Sequence, residues 1–183
     1  MPLGQLSSVE RERLAGFPSE VSRADLREFF GLRPGDFGFV RQRRGDVNRL
    51  GLAVQLGCLR FLGFVPVVER VPRVVVGFVA RQLDVAASLT GYGERTQTQS
   101  DHLGAVMDHL GFRHLGELDG KRLGEWLVDR AMEHHRPTVL FEQACEWLRS
   151  ERLLRPAAST VERLIAAAVV EADQETYRRL EPV

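Results

Sequence analysis

An all-α, multi-helical fold is predicted by three features of this 183-residue sequence. Helix start signals recur: Ser7-Ser-Val-Glu10 is a capping box, and Ser22-Arg-Ala-Asp25 is a relative of one. Residues 47–62 repeat apolar side chains at helical spacing on two opposite faces. Residues 159–180 form a long Ala-rich pattern that begins after Pro156, with Ser159 or Thr160 as its cap.

The first helix is expected over residues 8–15, stopping near Gly16-Phe17-Pro18. A second carries Leu26, Phe29 and Phe30 and ends at Gly31. Leu32-Arg-Pro-Gly35 is a turn, and a short helix through Phe37 and Val40 follows it. This order resembles helix-turn-helix units, so such units are expected in the N-terminal half.

In the next helix Val47, Leu50, Val54, Cys58 and Phe61 share one face, with Leu52, Leu56 and Leu59 roughly opposite. Two apolar faces imply a helix packed on both sides. Narrow polar stripes run between them: Asn48 with Gln55, and Arg49 with Arg60. The stretch from Val65 to Pro72 reads as an extended connection. Pro72 suits the first turn of a helix carrying Val75, Phe78, Val79 and Leu83, although Val74-Val75-Val76 also suits a strand. Leu89-Thr-Gly-Tyr-Gly93 is a turn-rich break, which divides the chain into units of residues 1–90 and 91–183. Helical patterns follow at 96–110, 119–135, 138–150 and 159–180, forming a second helical bundle.

The chain is long enough to bury a real core. It has no apolar run near the roughly 20 residues that span a bilayer, and its first residues do not read as a secretory signal. Cys58 and Cys145 lie in apolar helical patterns, as expected of buried free thiols in a reducing cytoplasm. The net charge of zero argues against a wholly basic nucleic-acid binder. The distribution is more telling. Residues 41–81 hold eight arginines against Asp46 and Glu69, while the segments on either side are acidic.

Arg41, Arg43 and Arg44 stand within four positions, just ahead of a helix whose first turn carries Asp46, Asn48 and Arg49. Like charges this close need neutralising, either by the chain's own carboxylates or by an external polyanion. A helix N-terminus with arginines around it favours anions. Asn and Arg are also shaped for paired hydrogen bonds to adenine and guanine edges. The residues alone leave both readings open.

Other chemistry is poorly supported. His102 and His109 lie seven apart and His134-His135 are adjacent, but none forms an i, i+4 pair and neither cysteine belongs to a Cys-x-x-Cys, so no metal site is expected. No nucleophile elbow or phosphate-cradling loop is present, so neither a catalytic residue nor a cofactor is expected. Carboxylates such as Glu142 and Glu146 fall near Arg149 at salt-bridge spacing, the pattern of a solvated face. Trp126 and Trp147 sit among apolar neighbours and read as core.

The segment Arg41-Gln-Arg-Arg-Gly-x-x-Asn48-Arg49-Leu-Gly-x-Ala-Val-Gln55-Leu-x-x-Leu-Arg60-x-Leu-Gly63 resembles the N-terminal DNA-binding (DUF4158-like) region of Tn3-family transposases. Later stretches are similar in the same order: Tyr92-Gly-Glu-Arg95-Thr96 with His102, then Leu148-Arg149, Leu153-Leu154-x-Pro156 and Val161-Glu162-Arg163. Leu6-Ser-x-x-Glu10-Arg11 matches as well. The resemblance covers nearly the whole chain and implies a helical region that recognises the terminal inverted repeats of a transposon. It also places strand cleavage in a later metal-dependent domain for which these residues leave no room. A non-catalytic part of a transposase is therefore expected.

On this reading Arg41, Arg43 and Arg44 anchor on phosphates of double-stranded DNA, Asn48 and Arg49 make base or groove contacts, and Gln55 and Arg60 extend the polar stripes. Tyr92, Arg95, Thr96 and His102 form a secondary patch, since Tyr and Arg can stack or bind phosphate near a loop, or equally an interdomain hinge. The rest of the transposase or a second copy is a further expected partner, with no membrane and no small-molecule substrate. The expected location is the bacterial cytoplasm, on the nucleoid when bound. The competing class is a protein–protein interaction module in which the arginine segment docks acidic helices.

Overall fold

A computed structural model describes residues 6–92, 96–134 and 136–180, the side chains of Thr96, Arg179 and Leu180 excepted. In chain order the helices are α1 (Ser8–Leu14), α2 (Arg23–Phe30), α3 (Pro34–Arg41), α4 (Asp46–Leu62), α5 (Arg73–Leu83), α6 (Thr96–Leu110), α7 (Glu117–Glu133), α8 (Pro137–Ser150) and α9 (Ala158–Leu180). Two strands of two residues, β1 (Arg113–His114) and β2 (Leu153–Leu154), pair with each other. The fold is all-α apart from this short ribbon. No helix among the described residues is long and apolar enough to cross a membrane.

Local chemistry sets the helix starts. Ser7 accepts from the Glu10 amide while Glu10 accepts from the Ser7 amide, and Ser22 and Asp25 do the same for α2. Pro34 and Pro137 open α3 and α8 in the first turn, where a missing N–H costs nothing. Residues 74–76 are helical, not extended. Helical spacing directs Val75, Val76, Val79 and Ala80 into the core, and α5 packs on α4 with them. Within the connection from Val65 to Pro72, residues Val68–Arg70 form one 3-10 turn.

The chain divides into two compact units, Gly16–Arg113 and residues 1–15 with 114–183. This division differs from a boundary near residue 90. The turn at 89–92 lies inside the first unit because Tyr92 seats against α4 and α6 packs on the same helix.

In the unit Gly16–Arg113, α4 is the central element and touches α2, α3, α5 and α6. Leu50, Leu52, Ala53, Leu56, Cys58 and Leu59 are fully buried, so both apolar faces are covered. Two glycines make this packing possible. A Cβ on Gly51 would fall 2.2 Å from the Tyr92 ring, and one on Gly57 would fall 2.2 Å from the Phe30 ring. Around the C-terminal end of α4, Phe17, Phe29, Phe30 and Phe61 pack ring to ring, with centroids 5.1 Å apart for Phe29 and Phe61.

The other unit packs α7, α8 and α9 against one another around Leu123, Leu127, Leu140, Phe141, Leu148, Val161 and Ile165. Leu6 joins this core. Arg11 on α1 reaches Glu162 at 3.0 Å, Arg13 reaches Glu142 at 3.3 Å, and Arg155 donates to the Leu14 carbonyl at 2.8 Å. The first turns of the chain therefore belong with its last three long helices. Trp126 and Trp147 are half-buried here, with Arg130 and Arg122 over their rings.

Candidate nucleic-acid interface

The arginine segment is a turn between α3 and α4. Arg41 ends α3, exposed, with its guanidinium 5.8 Å from the centre of the Phe37 ring. The Arg43 amide donates to the Val40 carbonyl at 3.1 Å, which closes the last turn of α3. Gly45 then takes φ 81°, a conformation that side chains oppose, and its carbonyl accepts from the Arg49 amide to begin α4. No side chain caps α4 at Gly45.

Two side chains from the first turn of α4 reach back to this segment. Asn48 donates Nδ2–H to the Arg44 carbonyl at 3.0 Å, and Arg49 donates Nε–H to the Arg43 carbonyl at 2.9 Å. Arg49 also pairs with Asp46 at 3.3 Å. Arg41 and Arg44 are exposed and Arg43 is half-buried. Among the described residues, no carboxylate forms an ion pair with any of these three.

The other sequence-derived site residues sit elsewhere. Gln55 is only 5 % exposed, and its Nε2 donates to the Gln99 carbonyl at 3.3 Å. Arg60 is held inside by Asp36: Nη1 and Nη2 donate to the two carboxylate oxygens at 2.9 Å each. Tyr92 and His102 are both buried and hydrogen-bonded, hydroxyl to Nδ1, at 2.8 Å. These four side chains serve the interior. Arg95 and the Thr96 side chain lie outside the described residues.

Sequence reasoning missed Asp36. Its carboxylate accepts from Arg60, from the Arg33 amide at 2.7 Å and from His109 at 2.9 Å, tying α3, α4 and α6 together. Burial alone would raise the Asp36 pKa, but the hydrogen bonds from Arg60, Arg33 and His109 outweigh it and hold the carboxyl below its ordinary value. The His109 ring stacks on Phe39, with centroids 4.3 Å apart. Burial lowers the His102 pKa, and the positive charge of Arg43 lowers it further. Both effects favour the neutral form of His102, against a smaller opposing pull from Asp101. No group of three His, Cys, Asp or Glu among the described residues is arranged to hold a metal ion.

The turn thus presents Arg41 and Arg44 at the surface with Arg43 half-buried, and none of the three has a carboxylate ion-pair partner among the described residues. Residues 6–168 match the family described as Domain of unknown function (DUF4158), and the chain belongs to that family. Its relatives are Tn3-family transposases. The chain is 36 % identical over 177 residues to the transposase for transposon Tn501 of Pseudomonas aeruginosa, covering 96 % of this chain and 18 % of that protein. It is 34 % identical over 185 residues to the transposase for transposon gamma-delta of Escherichia coli (strain K12), covering 98 % and 18 %. It is 35 % identical over 177 residues to the transposase for transposon Tn21 of Escherichia coli, with 96 % and 18 % covered. The chain thus spans under a fifth of the length of these relatives.

Proposed function

We propose that this chain is a non-catalytic DNA-binding module of a Tn3-family transposase that recognises the terminal inverted repeats of its transposon. The observation that carries this reading is the turn at 41–44, whose three arginines have no ion-pair partner among the described residues. Three cations this close repel one another, and a nucleic-acid backbone neutralises them while releasing its own counterions. Arg41 and Arg44, both exposed, are the first phosphate contacts, and Arg43 is the inner one. Relatives that act on transposons support DNA as the polyanion. The unit Gly16–Arg113 carries the contact, and the other unit serves the rest of the transposase or a second copy.

The test is binding to a duplex bearing a transposon terminal inverted repeat, beside a scrambled duplex of equal length, across a salt series. Each phosphate contact contributes about −0.9 to the slope of log K against log salt, so three arginines account for about −2.7. Footprints confined to the repeat establish the sequence preference. Binding that is insensitive to salt and equal on both duplexes assigns the turn to a protein partner instead.

A further inference from the structure

We infer that Asn48 and Arg49 are positioning residues that hold the arginine turn in shape, and that they do not read base edges. This rests on the DNA-binding reading of the same turn. Asn48 and Arg49 belong to the first turn of α4, yet each spends a donor on a carbonyl of the preceding segment: Asn48 on Arg44, Arg49 on Arg43. The two carbonyls are those of the residues whose guanidinium groups are offered to phosphate. Between them and α4 lies Gly45 at φ 81°, a hinge with no side chain to stiffen it. Without the two hydrogen bonds the turn has more backbone freedom, and binding then has to pay for ordering it.

The same contacts compete with base reading. Paired recognition of adenine takes both the oxygen and the nitrogen of an Asn amide, and paired recognition of guanine takes two donors of an Arg fork. Asn48 has committed one N–H to Arg44, and Arg49 has committed Nε to Arg43 and Nη1 to Asp46. Arg49 is also the only one of the four arginines at 41–49 with a carboxylate partner among the described residues. Its charge is already answered.

The experiment is a double-mutant cycle in DNA affinity, with Asn48→Ala, Arg44→Ala and both together, on the repeat duplex and the scrambled one. Asn48→Ala is expected to weaken both duplexes alike, by about three- to tenfold, the worth of one hydrogen bond. The double variant should lose less than the product of the single losses, since Asn48 acts through Arg44. Arg49→Lys supplies a second arm. It keeps the charge but has carbon where Nε stood, so it should behave as Arg49→Ala does. Melting temperatures of all variants should stay near that of the wild type. If the losses multiply, or if Asn48→Ala abolishes the preference for the repeat, Asn48 touches DNA directly and the inference fails while the DNA-binding reading stands. A wild-type protein with no salt-dependent affinity for either duplex overturns both.

Discussion

The two units spend their arginines differently. Residues 16–113 contain 13 arginines against 10 carboxylates, and residues 1–15 with 114–183 contain 12 cations against 15. Net charge separates them only modestly; the pairing is more instructive. In the second unit Arg11, Arg13, Arg122, Arg130 and Arg178 each pair with a glutamate. In the first, Arg60 is satisfied by Asp36 and Arg49 by Asp46, while Arg41, Arg43 and Arg44 have no carboxylate partner among the described residues, Arg41 and Arg44 being exposed and Arg43 half-buried. A run of arginines becomes a candidate contact surface only where the fold supplies no carboxylate opposite it. The second unit shows the ordinary outcome, a solvated face of ion pairs worth little each.

The largest effects that would test this contrast lie in the two interiors. Asp36→Ala leaves Arg60 buried without a counter-charge, and should destabilise the protein by about 3–5 kcal/mol in urea unfolding. Because the Asp36 pKa is lowered in the fold, its contribution is present above the ordinary carboxyl value of about 3.9 and is lost as pH falls through the folded value. Acid unfolding of the Asp36→Ala variant should lack that component. Phe141→Ala, in the core of the other unit, should cost a similar 3–5 kcal/mol or so. Under conditions where that variant stays folded, its DNA affinity should equal the wild type's. A large drop would show that the second unit also carries contact residues.

Gly57→Ala comes next. Its new methyl group meets the Phe30 ring, and overpacking of this kind costs about 1–3 kcal/mol, measured as a lowered urea midpoint with an unchanged slope. Arg44→Ala sharpens the comparison from the other direction. It should change stability by no more than about 0.5 kcal/mol and flatten the salt dependence of DNA binding by about 0.9. The smallest effect on binding belongs to Arg13→Ala, which breaks an exposed pair in the second unit. It should cost under about 1 kcal/mol and leave DNA affinity unchanged.

Local signals in the sequence were legible where short-range chemistry decides the outcome. The capping boxes at Ser7 and Ser22 mark helix starts found in the structure, because cap and partner lie three residues apart. The two apolar faces of α4 are likewise a property of spacing along one helix, and both are buried. Residues 74–76 were ambiguous, since β-branched side chains suit a strand and packing against α4 settles the matter in favour of a helix. The expected boundary near residue 90 differs from the division of the compact units at residues 15/16 and 113/114. A turn-rich stretch interrupts a helix whether or not it separates units, and Tyr92 sits against Gly51.

The candidate site was legible only in part. Arg41, Arg43 and Arg44 stand out by their density, but nothing along the chain says whether a cation is answered. Arg60 looked like part of a polar stripe, and its partner Asp36 lies 24 residues earlier. Tyr92 and His102 stood in the secondary patch because they lie with Arg95 and Thr96 near a loop, where Tyr and Arg can stack or bind phosphate. In the interior the Tyr92 hydroxyl and His102 Nδ1 are hydrogen-bonded to each other.

What the sequence determined by itself is the set of helices, their caps and the crowding of guanidinium groups ahead of α4. Each depends on residues within one or two turns of one another. What only the tertiary structure decided is which cations have counter-charges, which polar side chains are inside, and that α1 joins α7, α8 and α9 across the intervening unit. Among the pairs behind those outcomes are Tyr92 with His102, 10 positions apart, Arg60 with Asp36, 24 apart, and Arg11 with Glu162, 151 apart, and electrostatic pairing follows distance in space, to which separation along the chain gives no guide.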